Sequence, residues 1–189
     1  LFIDDSGSST ASGTAGDEDS GENPDTPITP TNNILNFTNE ADTALGTDNN
    51  DVIRALAGDD IVLAGAGNDN VFGGDGDDTF YGGSSNDKMY GGAGEDLFDG
   101  GDGNDSLYGG ASDDIFHFDR TEGNDIVKDF ENNDDVIQFD NFSYLTDAAS
   151  ALAFATESGG DVLFDFGADG TLLVENATKA QLENDIEIV

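Results

Sequence analysis

The sequence predicts an all-β chain: a parallel β-roll, with a flexible tail before it and a β-rich cap after it. Three observations carry this prediction. Residues 46–117 divide into eight nonapeptides without a register break, the sixth place of every unit is Asp, and the eighth is always apolar. A fixed short period of this kind marks a solenoid, in which each repeat buries its apolar face only against its neighbours.

The first segment, residues 1–33, reads as a flexible tail. It holds all three prolines (Pro24, Pro27, Pro30), and between Ile3 and Ile28 it is built of Ser, Thr, Gly, Asp and Glu with almost nothing apolar. Such a composition cannot bury enough surface to offset its ordering entropy. The chain opens Leu1-Phe2-Ile3 rather than on Met, which admits a processed segment, an anchor or a whole domain upstream. No apolar run approaches the ~18 residues of a membrane span.

The roll is expected over residues 34–140. Its regular units are GTDNNDVIR, ALAGDDIVL, AGAGNDNVF, GGDGDDTFY, GGSSNDKMY, GGAGEDLFD, GGDGNDSLY and GGASDDIFH. Places one to six are expected to turn and places seven to nine to form a strand of about three residues. Alternation along that strand sends place eight inward and places seven and nine outward. The interior is therefore Ile53, Val62, Val71, Phe80, Met89, Phe98, Leu107 and Phe116. Glycine dominates the turn, where positive φ is needed, and Asn49, Ser85 and Ser112 replace it at place four of three units. Two degenerate units follow: RTEGNDIVK keeps Asp125 and Val127 in register, and FENNDDVIQ keeps Asp135 and Ile137.

Residues 141–189 depart from the repeat. Asp147 caps an Ala-rich helical stretch, Gly159-Gly160 ends it, and residues 161–166 and 171–175 alternate around a Gly-Ala-Asp-Gly turn as a hairpin. Residues 178–184 read as a short capped helix, and 186–189 as a last strand.

Charge decides the function class. The chain carries 42 acidic residues against 5 basic ones, a formal net charge of -37, with one His and no Cys. Such a field repels phosphate backbones and anionic lipid, excluding nucleic-acid binding and direct membrane insertion. It equally excludes thiolate zinc sites and a Cys nucleophile. No zincin, nucleophile-elbow, P-loop, dinucleotide or EF-hand pattern occurs, and His117 occupies an outward ninth place, so no catalytic residue is assigned. The natural partner is a cation.

Every second unit stacks on the same side of the roll, about 4.8 Å away. This places Asp51, Asp69, Asp87 and Asp105 on one side, and Asp60, Asp78, Asp96 and Asp114 on the other, with Asp125 and Asp135 as further candidate ligands in the degenerate units. Carboxylates and turn carbonyls then face each other across a slot lined by oxygen alone. Ca2+, with six or more oxygen ligands at ~2.3–2.6 Å, suits such a slot better than Mg2+. Without the cation the rows are stacked like charges, and the roll is expected to be unstable.

These residues carry a resemblance. GGxGxDxUx, with U apolar, is similar to the nonapeptide of the RTX, or hemolysin-type calcium-binding, family, strongly over 46–138 and more loosely beyond. The resemblance implies a right-handed parallel β-roll, several Ca2+ ions between adjacent turns, export by a type I secretion apparatus, and an extracellular location. It also implies an uncleaved C-terminal secretion signal, which the ending Asp185-Ile186-Glu187-Ile188-Val189 resembles. Thr47 and Asn49 in the first unit, and Ala55-Leu56 in the second, replace the usual glycines, so weaker binding is expected in the first turns.

The leading reading is a secreted calcium-binding protein that folds on meeting Ca2+ outside the cell. The alternatives are the C-terminal secretion and folding module of a larger extracellular enzyme, or an adhesin or surface-layer component. Two surface features bear on a carbohydrate or protein partner. Odd units present Phe72, Tyr90 and Tyr108 at place nine. Even units present Ile61, Leu63, Tyr81, Leu97 and Ile115, a stripe expected to be covered by the C-terminal hairpin or a partner. Place five alternates as well, with Asn50, Asn68, Asn86 and Asn104 in odd units and Asp59, Asp77, Glu95 and Asp113 in even ones.

Overall fold

The structure is a computed structural model that describes residues 33–120, 123–132 and 134–189; the expected tail lies outside the described residues. The chain moves back and forth between two sheets, one strand per nonapeptide. Odd strands are β1 (Asn33–Asn36), β3 (Asp51–Ala57), β5 (Asn70–Asp75), β7 (Lys88–Ala93), β9 (Ser106–Ala111) and β11 (Asn124–Val127). Even strands are β2 (Thr43–Leu45), β4 (Ile61–Ala66), β6 (Thr79–Ser84), β8 (Leu97–Asp102), β10 (Ile115–Phe118) and β12 (Val136–Phe139). Each strand pairs in parallel with the strand two ahead, at a separation of eighteen residues in the regular region, as Val71 with Met89 and Phe80 with Phe98. This is the expected all-β parallel roll.

The strands are twice as long as expected. β5 to β9 each span six residues, taking in places one to three of the following unit. The Gly-Gly pair is therefore part of the ladder, where Gly74 pairs with Gly92, and only places four to six turn. A parallel coil this tight leaves no room for a longer turn, and extending the pairing satisfies the backbone of places one to three.

Alternation along the longer strand sends places six, eight and one inward. All eight predicted eighth-place residues are fully buried. Phe80, Phe98 and Phe116 form an inner column with centroids 4.9 and 5.1 Å apart. Place one must be small because of them. A Cβ added to Gly73 would stand 2.7 Å from the Phe80 ring, and one on Gly109 would stand 3.1 Å from the Phe116 ring. Where the eighth place holds Val62 or Val71, Ala55 and Ala64 occupy place one.

The C-terminal segment prolongs both sheets. β15 (Thr171–Val174) adds in parallel to β11, and β16 (Ile186–Ile188) adds in parallel to β12. β13 (Ala155–Ser158) and β14 (Asp161–Asp165) continue the odd sheet antiparallel. The two short helices form where their caps lie. Asp147 caps α1 (Ala148–Leu152) in a capping box with Ser150, and Thr178 caps α2 (Lys179–Leu182) with Gln181. Phe139, Phe142, Phe164 and Phe166 close the end of the core in edge-on and tilted contacts at 4.7–5.7 Å.

One expectation is overturned. The hairpin does not cover the even face: it joins the edge of the odd sheet, and Ile61, Leu63 and Tyr81 remain 45%, 40% and 43% exposed. β11 offers β15 a full row of unpaired backbone groups, and satisfying them determines where the hairpin goes. Leu97 and Ile115 are half-buried by their neighbours along the ladder rather than by a covering layer.

Candidate metal centres along the roll

All ten predicted aspartates lie inside the roll, each no more than 5% exposed. They form the two expected rows, one along each edge where the chain passes between sheets. Within a row, the backbone N–H of each Asp donates to Oδ1 of the Asp one coil further on. Asp51 donates to Asp69 at 2.7 Å, Asp60 to Asp78 at 2.9 Å, and Asp69 to Asp87 at 2.8 Å. The series continues from Asp78 to Asp96, Asp87 to Asp105, Asp96 to Asp114, Asp105 to Asp125 and Asp114 to Asp135. Each carboxylate thus ties down the turn before it.

The second oxygen behaves differently. Oδ2 of Asp60, Asp69, Asp78, Asp87 and Asp96 is buried with no hydrogen-bond donor. A buried ionised oxygen left without a partner costs several kcal/mol. Its surroundings are oxygen too. A Cβ on Gly73 would collide with Oδ2 of Asp78 and stand 2.7 Å from the carbonyl oxygen of Gly91; a Cβ on Gly91 would collide with Oδ2 of Asp96 and stand 2.6 Å from that of Gly109. Place-one glycine therefore keeps open a cradle in which a carboxylate oxygen of one coil and a carbonyl oxygen of the next converge.

Electrostatics agree. Burial pushes the carboxyls of Asp78 and Asp87 up to about 6, Asp69 to about 7 and Asp96 to about 8, partly offset by the N–H each accepts. Neighbours in the row add to the rise, Asp60 acting on Asp78 and Asp114 and Asp78 acting on Asp96. Burial likewise raises Asp114 to about 7, and Asp125 and Asp135 to about 6. The donor set is hard oxygen throughout, and it fits Ca2+. Among the described residues no three His, Cys, Asp or Glu side chains converge on one point. A cation here would draw on one carboxylate per turn and on backbone carbonyls.

The place-five alternation has a structural basis. The place-five side chains of Asn50, Asp59, Asn68, Asp77 and Asn86 accept the backbone N–H of place five one coil on, as Asn50 does from Asn68 at 2.8 Å and Asp77 does from Glu95 at 2.8 Å. Asn and Asp serve equally as acceptors, so the difference is charge. The even edge carries an outer acidic row that raises Asp60, Asp78 and Asp96 further.

Asp42 also belongs to the even row and was missed from the sequence. Its N–H donates to Oδ1 of Asp60 at 2.6 Å. Residues 37–45, FTNEADTAL, keep the register, with Asp42 and Ala44 each nine residues before Asp51 and Ile53. Phe37-Thr38 in place of Gly-Gly, and Ala44 as the apolar residue, conceal it.

The other candidates are surface features. His117 stands 4.0 Å from Asp99 and 3.9 Å from Asp140. Phe72, Tyr90 and Tyr108 stack on one another at 4.9 and 4.4 Å, with Arg54 5.6 Å over the first ring. The stack covers both faces of Tyr90, and Phe72 lies between Tyr90 and Arg54.

Residues 38–71, 63–98 and 90–120 match the RTX calcium-binding nonapeptide repeat, a structural and calcium-binding unit rather than a catalytic one. Among solved structures, the extracellular lipase of Serratia marcescens is similar at 15% identity and TM-score 0.43 over 85% of this chain, which spans 41% of the lipase. A subunit of the mannuronan C5-epimerase of Azotobacter vinelandii is similar at 22% identity and TM-score 0.39, over 86% of this chain and 82% of that one. No curated protein matches the chain. Residues 38–120 carry RTX calcium-binding nonapeptide repeats, and repeats of this kind bind several Ca2+ ions.

Proposed function

We propose that this chain is an extracellular calcium-folded module, unfolded for export and assembled by Ca2+ once outside. The carrying observation is the set of buried Oδ2 atoms without a donor at Asp60, Asp69, Asp78, Asp87 and Asp96. On this reading those aspartates, together with Asp105 and Asp114, give a carboxylate oxygen to each ion, and turn carbonyls such as that of Gly91 complete the shell. At tenfold over its dissociation constant each ion contributes about 1.4 kcal/mol. One ion for each of the six same-side pairs among the eight regular units then supplies ~8 kcal/mol in all, as much as the whole stability of an ordinary domain. At cytosolic calcium this contribution is absent and the charge of -37 opposes collapse. The chain would then stay in a form that a type I secretion apparatus can thread, with its C-terminal residues 141–189 serving as cap and signal.

The role is binding and structural rather than catalytic. The single imidazole, His117, faces two carboxylates in an ion-pair arrangement on the surface.

The test is a calcium titration of the chelated chain, followed by far-UV circular dichroism with Mg2+ as control. A cooperative gain of β signal with Ca2+ alone is expected. A chain already folded in chelator, or one that folds equally with Mg2+, would overturn the proposal.

A further inference from the structure

We propose that the ion rows are bounded by turns that satisfy their own carboxylate and take no calcium: those of Asp42 and Asp135 at the two ends of the even row, and that of Asp51 at the start of the odd row. This rests on the calcium reading above and concerns how many of its turns are loaded.

In these three turns the second carboxylate oxygen is satisfied from within. Thr38 donates its N–H and its hydroxyl to Oδ2 of Asp42 at 2.8 and 2.6 Å. Thr47 does the same to Oδ2 of Asp51 at 2.6 and 3.0 Å. The N–H of Glu131 reaches Oδ2 of Asp135 at 2.7 Å, while Oδ1 of Asp135 takes the N–H of Asp114 at 3.0 Å. In each case the donor is the place-two residue, four before the aspartate.

The backbone explains why interior turns cannot do this. Their place-two residues have positive φ: 88° at Leu56, 108° at Gly65, 130° at Gly74, 100° at Gly83 and 122° at Gly92. In these turns no place-two N–H donates to Oδ2 of its own Asp, and Oδ2 of Asp60, Asp69, Asp78, Asp87 and Asp96 is left for a cation. Thr38, Thr47 and Glu131 are not among the positive-φ residues. A β-branched Thr resists that region, which favours the closed turn at Thr38 and Thr47.

Closed end turns solve a problem specific to a ladder. An ion between coils needs oxygen from both, and among the described residues no further nonapeptide turn stands beyond the first and last coils to complete the shell: β2 ends its sheet, and β12 is followed by β16 of the cap. Two such bonds at Asp42 and Asp51 and one at Asp135 take the place of an ion, and these turns hold their shape with protein atoms alone. The sequence signature is Thr-x-x-x-Asp or Glu-x-x-x-Asp in place of Gly-x-x-x-Asp.

The experiment counts bound calcium per folded chain by equilibrium dialysis for six single variants of the full chain. Asp42→Asn, Asp51→Asn and Asp135→Asn are expected to keep the wild-type count, while Asp78→Asn, Asp87→Asn and Asp96→Asn each lower it by at least one. Loss of an ion in any end variant overturns the inference. An unchanged count in all six overturns the calcium reading itself. Because an end variant can fail to fold, a crystal structure of the calcium-loaded chain provides the second measurement. Anomalous peaks beside Oδ2 of the interior aspartates, with none at Asp42, Asp51 or Asp135, are expected; a peak at any of those three defeats the inference.

Discussion

Replacing Asp78 by Asn separates the two things its carboxylate does. The amide oxygen can still accept the Asp60 N–H, now held at 2.9 Å by Oδ1, so the tie between coils survives. The charge and the open Oδ2 are lost. In calcium the variant forfeits one ligand oxygen at one site. At tenfold over the dissociation constant that costs about 1.4 kcal/mol, and at a hundredfold about 2.7 kcal/mol. For a chain of this size the smaller figure lowers Tm by roughly 3 to 6 °C. In chelator the sign reverses. Burial raises the Asp78 carboxyl to about 6, above its unfolded value. A carboxyl raised in the folded state supports the fold below its unfolded pKa and loses that support as pH rises through the folded value. At pH 7.5 the metal-free fold therefore bears an ionised, buried group that Asn removes. Thermal melts by circular dichroism, in calcium and in chelator with enough trimethylamine oxide to populate the fold, read both signs. The variant should melt lower than wild type in calcium and higher in chelator. A shift of the same sign in both conditions would refute the reasoning, since it would mean that Asp78 acts through packing and not through charge.

Three further outcomes follow. Gly91→Ala keeps every charge but fills the cradle beside Asp96, and it should raise the calcium midpoint of folding as much as Asp96→Asn does; an unchanged midpoint in the titration would remove the cradle from the argument. Phe98→Ala opens the middle of the inner column, 4.9 and 5.1 Å from its neighbours, and should cost about 3–5 kcal/mol in denaturant unfolding with calcium saturating. Since burial raises Asp69 to about 7, Asp96 to about 8 and Asp114 to about 7, lowering the pH from 8 to 5 should strengthen the β signal in chelator and weaken calcium affinity, and a β signal in chelator that falls with acid would contradict the shifts.

Much of this was legible because the period is rigid. One register fixes all eight buried apolar places and eight of the aspartates, Asp125 and Asp135 follow after small slips, and the caps at Asp147 and Thr178 announce both short helices. What was not legible depends on backbone detail that the pattern leaves free. Strand length doubles because Gly-Gly, usually a strand breaker, is carried along by in-register pairing such as Gly74 with Gly92. The coil over residues 33–45 was hidden because burial at place eight tolerates Ala44 and Leu35 as readily as Phe. The hairpin's destination was misjudged because an apolar stripe was weighed above the open backbone edge of β11, and the edge won. Which carboxylates keep a free oxygen turns on the sign of φ at place two. Thr47 hints at that only once the turn can be seen.

The glycine at place one shows why the repeat resists variation. Its missing Cβ serves two sides at once. Toward the core it clears the ring of the same unit's eighth-place Phe, as Gly73 does for Phe80, and toward the turn it clears Oδ2 of the same unit's Asp. Ala is found at place one only opposite Val62 and Val71, where the core needs less room. A larger residue there would therefore disturb the packed column and the oxygen slot together. Because every coil donates its Asp N–H to the carboxylate of the next, that disturbance would pass to its neighbour along the row. Each coil touches only those beside it, so the fold has no distant contacts with which to compensate. Holding the carboxylates in place is then a condition of stacking the core, and a cation that stabilises one stabilises the other.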